Sequence, residues 1–341
     1  MQHAIFLINP RFGDIALSYV EVIDLKKYFP VQRSFIEQLF SKKREYVRAV
    51  DGITFSVRQG SIHGLVGESG SGKSTTGRLT IALIEPTSGS VIFEGRDIWK
   101  MEDERLREIR SKMSMVFQDP TSSLNPKMKI GEQVADALRY RPDHYNARER
   151  RKSAEEMLER VSLSPAETFY SRYPHELSGG QRQRVVIARA LVTRPSYVVA
   201  DEPVAMVDVS VRAQIMQLLL DLRRELGLTM LMITHDLAVA KYMCETISVM
   251  YLGKIVEEGT VQDVFKNPLH PYTQALLNAV PIPDPENRRV KQIPAGEIPN
   301  PINPPSGCRF HPRCPIAGSI CSVQEPELRI VKGHKVACHF A

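Results

Sequence analysis

Runs of alternating and continuous apolar residues divide the chain into strands and helices, and their order is informative. From Tyr19 the stretch Tyr-Val-Glu-Val-Ile-Asp-Leu alternates, and Ile53-Thr-Phe-Ser-Val does the same before a turn at Gln59-Gly60, so both read as strands of an antiparallel edge. Ile62–Val66 is a compact apolar run that enters a glycine-rich loop, and residues 75–83 then carry a helical pattern. Between 118 and 177 the period changes. Residues 130–140 and 147–161 read as helices, with Pro126, Pro142, Pro165 and Pro174 as punctuation, which predicts a helical insertion. Further on, 197–200 and 230–234 are buried-strand runs flanking an amphipathic helix whose Ile215, Leu218, Leu219, Leu222 and Leu226 share one face. Strands alternating with helices predict a parallel α/β sheet. After Gly259, residues 271–280 read as one more helix, and the proline-rich 281–305 as an extended connector to a small cysteine-bearing module. No internal repeat is visible.

Composition narrows the function classes. With 341 residues, 43% hydrophobic and 25% charged, the chain has the balance of a folded protein with a sizeable core. A net charge of +6 permits an anionic partner, but Lys42-Lys43-Arg44 alone reads as a solvated loop, and nucleic-acid binding is not expected. The most apolar segment, 228–243, contains His235, Asp236 and Lys241, and no run reaches the ~18 apolar residues of a spanning helix. Residues 1–12 lack the features of a secretory leader, so a cytoplasmic location is expected.

The chemistry begins at Gly67-Glu-Ser-Gly-Ser-Gly72-Lys73-Ser74, which satisfies the phosphate-loop pattern and lies between a predicted strand and helix. Such a loop (Gly67, Ser69, Gly70, Ser71, Gly72, Lys73, Ser74, Thr75) turns backbone N–H groups toward phosphates at a helix N-terminus. Lys73 then neutralises β- and γ-phosphate charge, and Ser74 holds Mg²⁺. Tyr197-Val-Val-Ala-Asp201-Glu202 ends a buried run in two carboxylates, one suited to orient Mg²⁺ and the next to polarise an attacking water.

Leu177-Ser178-Gly179-Gly180-Gln181 matches the signature sequence of ABC ATPases, and with the two preceding motifs the chain resembles that family from about Val20 to Asn278. The resemblance implies a phosphate-loop NTPase of ABC type: an α/β fold with an antiparallel β subdomain, a helical insertion and a small C-terminal cysteine-bearing module. The boundaries read as an extension over 1–18, an ATPase domain over 19–265 with its insertion at about 119–177, and a C-terminal extension over 266–341. By the same resemblance, Gln118 in Val-Phe-Gln-Asp-Pro is the Q-loop glutamine, contacting Mg²⁺ and the attacking water where the insertion meets membrane subunits. His235 is the switch histidine on the γ-phosphate. Asp208 is the D-loop aspartate, although Met206-Val207 stands where the family usually has Ala-Leu. Tyr28, or its neighbour Phe29, is the aromatic that stacks on adenine. Ser178, Gly179, Gly180 and Gln181 bind ATP held by a second ATPase subunit, so two subunits sandwich two ATPs.

Four of the five cysteines, Cys308, Cys314, Cys321 and Cys338, fall in the last 34 residues with spacing C-x5-C-x6-C-x16-C. A cytoplasmic location argues for a metal site over disulfides. Zinc sites usually bring ligands in closer pairs, whereas an iron–sulfur cluster accepts wider spacing. With Asn267-Pro-Leu-His-Pro-Tyr-Thr before it, the tail resembles that of dipeptide and oligopeptide permease ATPases, which implies a [4Fe-4S] cluster, with Zn²⁺ as the alternative. Cys244 reads as a buried small hydrophobe, and His311, His334 and His339 are not read as ligands. The resemblance further implies an importer motor for short peptides, peripheral on the cytoplasmic membrane face, with a paralogous second ATPase, two transmembrane permease subunits and an extracytoplasmic binding protein. Nickel or oligosaccharides are the alternative cargoes, and a soluble ABC ATPase acting on nucleic acid or ribosomes is the alternative class.

Overall fold

A computed structural model describes residues 18–31, 45–141, 145–279, 296–297 and 299–341. The expected N-terminal extension, Lys42-Lys43-Arg44, and most of the connector fall outside the described residues. The strands are β1 (Ser18–Pro30), β2 (Tyr46–Arg58), β3 (Ile62–Val66), β4 (Ser88–Phe93), β5 (Arg96–Asp97), β6 (Met113–Val116), β7 (Tyr197–Asp201), β8 (Thr229–Thr234), β9 (Thr246–Tyr251), β10 (Lys254–Thr260), β11 (Arg329–Val331) and β12 (His334–Val336).

They form two sheets. One has the order β2-β1-β4-β5 with antiparallel pairs, as the alternating patterns predict, and the other β11-β12-β10-β9-β3-β8-β7-β6. Pairs β9–β3, β3–β8, β8–β7 and β7–β6 are parallel. The central strands β3, β7 and β8 are buried at every position, which explains why they read as continuous apolar runs. Between the sheets, Val22, Leu25, Phe55, Leu65, Tyr197 and Ile233 join one core.

The helical insertion is present as Ile130–Asp136, Ala147–Arg160 and Ala166–Tyr170, packed on the helix Gly179–Leu191. Its buried residues Val134, Met157 and Leu158 belong to the second core, together with Val185 of the Gly179–Leu191 helix. Asn146 starts the longest of these helices with a reciprocal capping box to Glu149, satisfying two end N–H groups at once. The helix predicted over 75–83 runs instead over Lys73–Thr80, starting directly after the left-handed turn at Gly72.

The C-terminal segment joins the main sheet. His334–Val336 pairs with β10 and extends the main sheet. Glu257 on β10 is fully buried; it accepts from the backbone N–H of Leu269 and His270 and shares a 2.7 Å hydrogen bond with the His334 ring. Phe310 packs against Tyr251 and Tyr272 with ring centroids 5.3 and 5.4 Å away.

Candidate active site

Loops leaving the carboxyl ends of four adjacent strands supply the site. The phosphate loop follows β3, His235 follows β8, Glu202 follows β7 and Gln118 lies just beyond β6. Parallel strands all discharge their loops at one edge, so residues far apart in sequence meet there.

Two loop positions require glycine. Gly67 has φ 153 and Gly72 φ 106, and a Cβ there would lie 2.2 Å from the Met250 carbonyl oxygen and 2.1 Å from that of Ala49. The loop therefore packs hard against β9 and β2. Lys73 opens the helix, and its ammonium donates to the carbonyl oxygens of Gly67 and Glu68, both at 2.7 Å. Burial pulls the Lys73 pKa down to about 8, although the carboxylates of Glu202, Asp201 and Glu68 act in the opposite direction.

Ser74 Oγ donates to Asp201 at 2.9 Å. Burial pushes the Asp201 carboxyl above the ordinary range, and the Ser74 bond draws it part of the way back. Glu202 sits at φ 46, a conformation most side chains avoid, with its N–H fixed to the Ile233 carbonyl at 2.9 Å. Its two carboxylate oxygens are taken up separately: Gln118 Nε2 donates to one at 2.8 Å, and His235 Nδ1 lies 2.9 Å from the other. A cleft of about 710 Å³ is lined by Ser69, Gly70, Gly72, Lys73, Ser74, Thr75, Gln118, Glu202 and His235, with Val47, Ala49, Leu276 and Pro301 as its apolar wall. Such a surface can grip a polyanion at one end and an apolar ring at the other.

Other predicted residues lie elsewhere. Tyr28 does not line this cleft; its hydroxyl bonds to Asp51 and the Arg48 guanidinium lies 5.8 Å from its ring centroid. Its neighbour Phe29 is exposed. Ser178 caps the Gly179–Leu191 helix, receiving the Gln181 N–H at 3.3 Å. None of the residues 178–181 lines the cleft, nor does Asp208, which precedes the helix Val209–Leu226. Of the cysteines, Cys244 is buried under β3 as read from the sequence, its Sγ 2.9 Å from where a Cβ on Gly64 would stand. Burial pushes the Cys308 thiol up to about 11, against a backbone hydrogen bond from Phe310 and with smaller upward contributions from Cys321, Cys314 and Cys338; the Cys308 N–H bonds to the Cys321 carbonyl at 2.8 Å. Among the described residues no group of three His, Cys, Asp or Glu side chains forms a site for a metal ion.

Glu68, a variable position of the loop pattern, was passed over by the sequence reading, yet it lines the cleft. Its N–H donates to the Tyr272 hydroxyl at 2.8 Å and its carboxylate pairs with Arg313 at 2.9 Å. A carboxylate inside a phosphate loop is the signal that could have prompted a search for a partnering cation.

Phosphate loop, carboxylate pair and signature helix on this sheet define a phosphate-loop ATPase of the ABC class. The family model for ABC transporters matches residues 50–205, and that for the oligopeptide/dipeptide transporter C-terminal region matches 256–321. The oligopeptide transport ATP-binding protein AppF of Bacillus subtilis is 46% identical over 94% of this chain and 97% of its own length. OppF of Salmonella typhimurium, described in the same words, is 47% identical over 94% of this chain and 95% of its own. Among solved structures, the dimeric post-hydrolysis state of the ATP-binding cassette MJ0796, bound to ADP and Pi, superposes with TM-score 0.61 at 32% identity, covering 71% of this chain and 98% of that one. The chain belongs to the ABC transporter ATP-binding family, in the branch that carries the oligopeptide/dipeptide transporter C-terminal region.

The buried lysine gives a pH dependence. If phosphate oxygens surround it as the loop pattern expects, its pKa of about 8 would rise and binding would take up a proton above pH 8. MgATP affinity is expected to fall with rising pH above about 8, and calorimetry in buffers of different ionisation enthalpy should register proton uptake there.

Proposed function

We propose that this chain is the ATP-hydrolysing subunit of an importer for short peptides, peripheral on the cytoplasmic face of the membrane. The observation that carries the reading is a phosphate-loop and carboxylate site in one chain with a C-terminal region shared with oligopeptide transporters. No helix among the described residues is long and apolar enough to cross a membrane, so permease subunits would provide the path. An extracytoplasmic binding protein would deliver the peptide. A second cleft of about 710 Å³ begins beside Gln118, with Phe117, Met115 and Leu83 among its apolar lining and Arg107 and Arg141 at its margin. It suits a helix of a membrane subunit carrying apolar and acidic side chains. Reconstituted with those partners, the assembly should take up di- and oligopeptides on ATP hydrolysis; uptake of nickel or oligosaccharides alone overturns the peptide reading.

In this reading Lys73 and the N–H groups of the 67–75 loop hold the phosphates. Ser74, Asp201 and Gln118 offer the hard oxygen donors that magnesium prefers, and the 2.9 Å Ser74–Asp201 contact fits that role. Glu202 polarises water, positioned by Gln118 and by His235, which also reaches the γ-phosphate. Adenine stacks near the Val47–Ala49 wall, beside which Tyr28 stands, paired across the strands with Arg48. The signature residues Ser178, Gly179, Gly180 and Gln181, with Asp208, serve ATP on the neighbouring ATPase, a paralogue. Their separation from the chain's own cleft supports that division. Glu202→Gln should retain MgATP binding, lose at least ~100-fold in turnover and accumulate as an ATP-bound dimer in size-exclusion chromatography.

For the tail we propose a [4Fe-4S] cluster on Cys308, Cys314, Cys321 and Cys338. Cys308 donates its backbone N–H to the Cys321 carbonyl at 2.8 Å, and the wide spacing of the four cysteines along the chain suits a multi-iron group better than Zn²⁺. Backbone N–H groups of Phe310 and Ile316 also bond to the Cys308 and Cys314 sulfurs, a support that thiolates of such clusters use. The cluster would brace this loop-rich segment. Anaerobically purified protein should contain about four iron and four sulfide per chain and absorb in the visible; stoichiometric zinc without iron overturns the assignment.

A further inference from the structure

A carboxylate within a phosphate loop opposes the loop's purpose, since Glu68 lines the cleft beside Lys73. The molecule answers it from the opposite end of the chain. Arg313 donates from Nη1 to Glu68 Oε2 at 2.9 Å and from Nη2 to Oε1 at 3.3 Å, a two-pronged contact across 245 residues of sequence. The arginine side chain is 6% exposed and that of Glu68 28%, so the cation end of the pair lies largely out of water, where charge-assisted bonds are directional and strong. Arg313 is braced in turn by the Tyr251 hydroxyl at 3.4 Å, and the backbone of Glu68 is tied to Tyr272, which packs on Phe310 of the tail. A second arginine, Arg309, reaches the buried Asp51 and the Leu252 carbonyl. Gly253, next in sequence, donates its N–H to Ser71 O of the loop at 2.9 Å.

We propose that Arg313 is a positioning residue of the ATP site: the cysteine-bearing tail neutralises Glu68 and holds the phosphate loop in its binding shape, so the tail sets MgATP affinity. Neutralisation removes a negative charge that a triphosphate would otherwise meet, and the paired contact fixes the loop residue that follows Gly67. Because Arg309 and Arg313 each adjoin a tail cysteine, whatever orders Cys308 and Cys314 also orders the two arginines. The inference rests on the loop binding MgATP; a wild-type chain that binds none would refute that reading and not this one.

The test is calorimetric titration of the full-length chain with MgATP. Arg313→Ala is expected to weaken binding roughly 10- to 30-fold, within the usual range of coupling between linked sites. Glu68→Gln should weaken binding by less than Arg313→Ala, because it loses the paired contact but leaves no unpaired carboxylate in the cleft. Combined with Arg313→Ala it should bring affinity back up to the Glu68→Gln level, because no carboxylate is left to neutralise. Lys335→Ala, which removes another ion pair between tail and sheet, to Glu258, should not change affinity. Unchanged binding in a folded Arg313→Ala protein, no recovery in the double variant, or an equal loss in Lys335→Ala overturns the proposal. Should Arg313→Ala fail to fold, Arg313→Lys carries the test. It keeps the charge but not the second contact, so a loss of about threefold is expected and no loss overturns the proposal.

Discussion

Lys73 is 5% exposed, and an ammonium withdrawn from water must be met by oxygen or shed its proton. Much of the molecule is arranged around that requirement. Carbonyl oxygens of Gly67 and Glu68 meet it directly, and they can do so only because glycine at 67 and 72 lets the loop curl over the helix start. The nearby carboxylates offset burial incompletely, so the pKa settles at about 8, which corresponds to roughly 3 kcal/mol against the charged form. In the proposed role a triphosphate would relieve that penalty, and binding energy would thereby be concentrated on the phosphates.

The same constraint explains what the sequence revealed. Asp201, Glu202, Gln118 and His235 stand at or just past strand ends, and Gly67 begins the loop that carries Lys73 to the start of the next helix; once the apolar runs are read as parallel strands, topology brings those ends together without further information. Fold class, the insertion and the helix after Pro271 were legible for a similar reason, since periodicity reports which face is buried. Pairings of single charges leave no such trace. Arg309 with Asp51 and Arg313 with Glu68 join positions 258 and 245 residues apart, and nothing in the local pattern of either partner requires the other. The short hairpin β11–β12 was missed because three-residue strands have too few positions to show alternation. Tyr28 illustrates the converse. Its place near the N-terminus fitted a ring-stacking role, but Asp51 holds its hydroxyl and the cleft wall is formed by Val47 and Ala49.

Which contacts fix the tail can be decided by burial. Lys254–Glu325 is solvent-exposed on the Glu side, 53%, and pairs of that kind contribute about 0–1 kcal/mol. Phe310 is 1% exposed among aromatic rings, and burying such a side chain contributes about 1.5–3 kcal/mol. Arg309–Asp51 and His334–Glu257 are buried ion or hydrogen-bonded pairs, whose attraction is largely spent against desolvation. Their net stabilisation is therefore small, but breaking either would strand a buried polar or charged group. Apolar burial thus holds the tail on the cassette, while the charges decide the one register in which it can sit. That register is the one placing Arg313 over Glu68, so the sheet extension, the aromatic cluster and the phosphate loop share a single geometry.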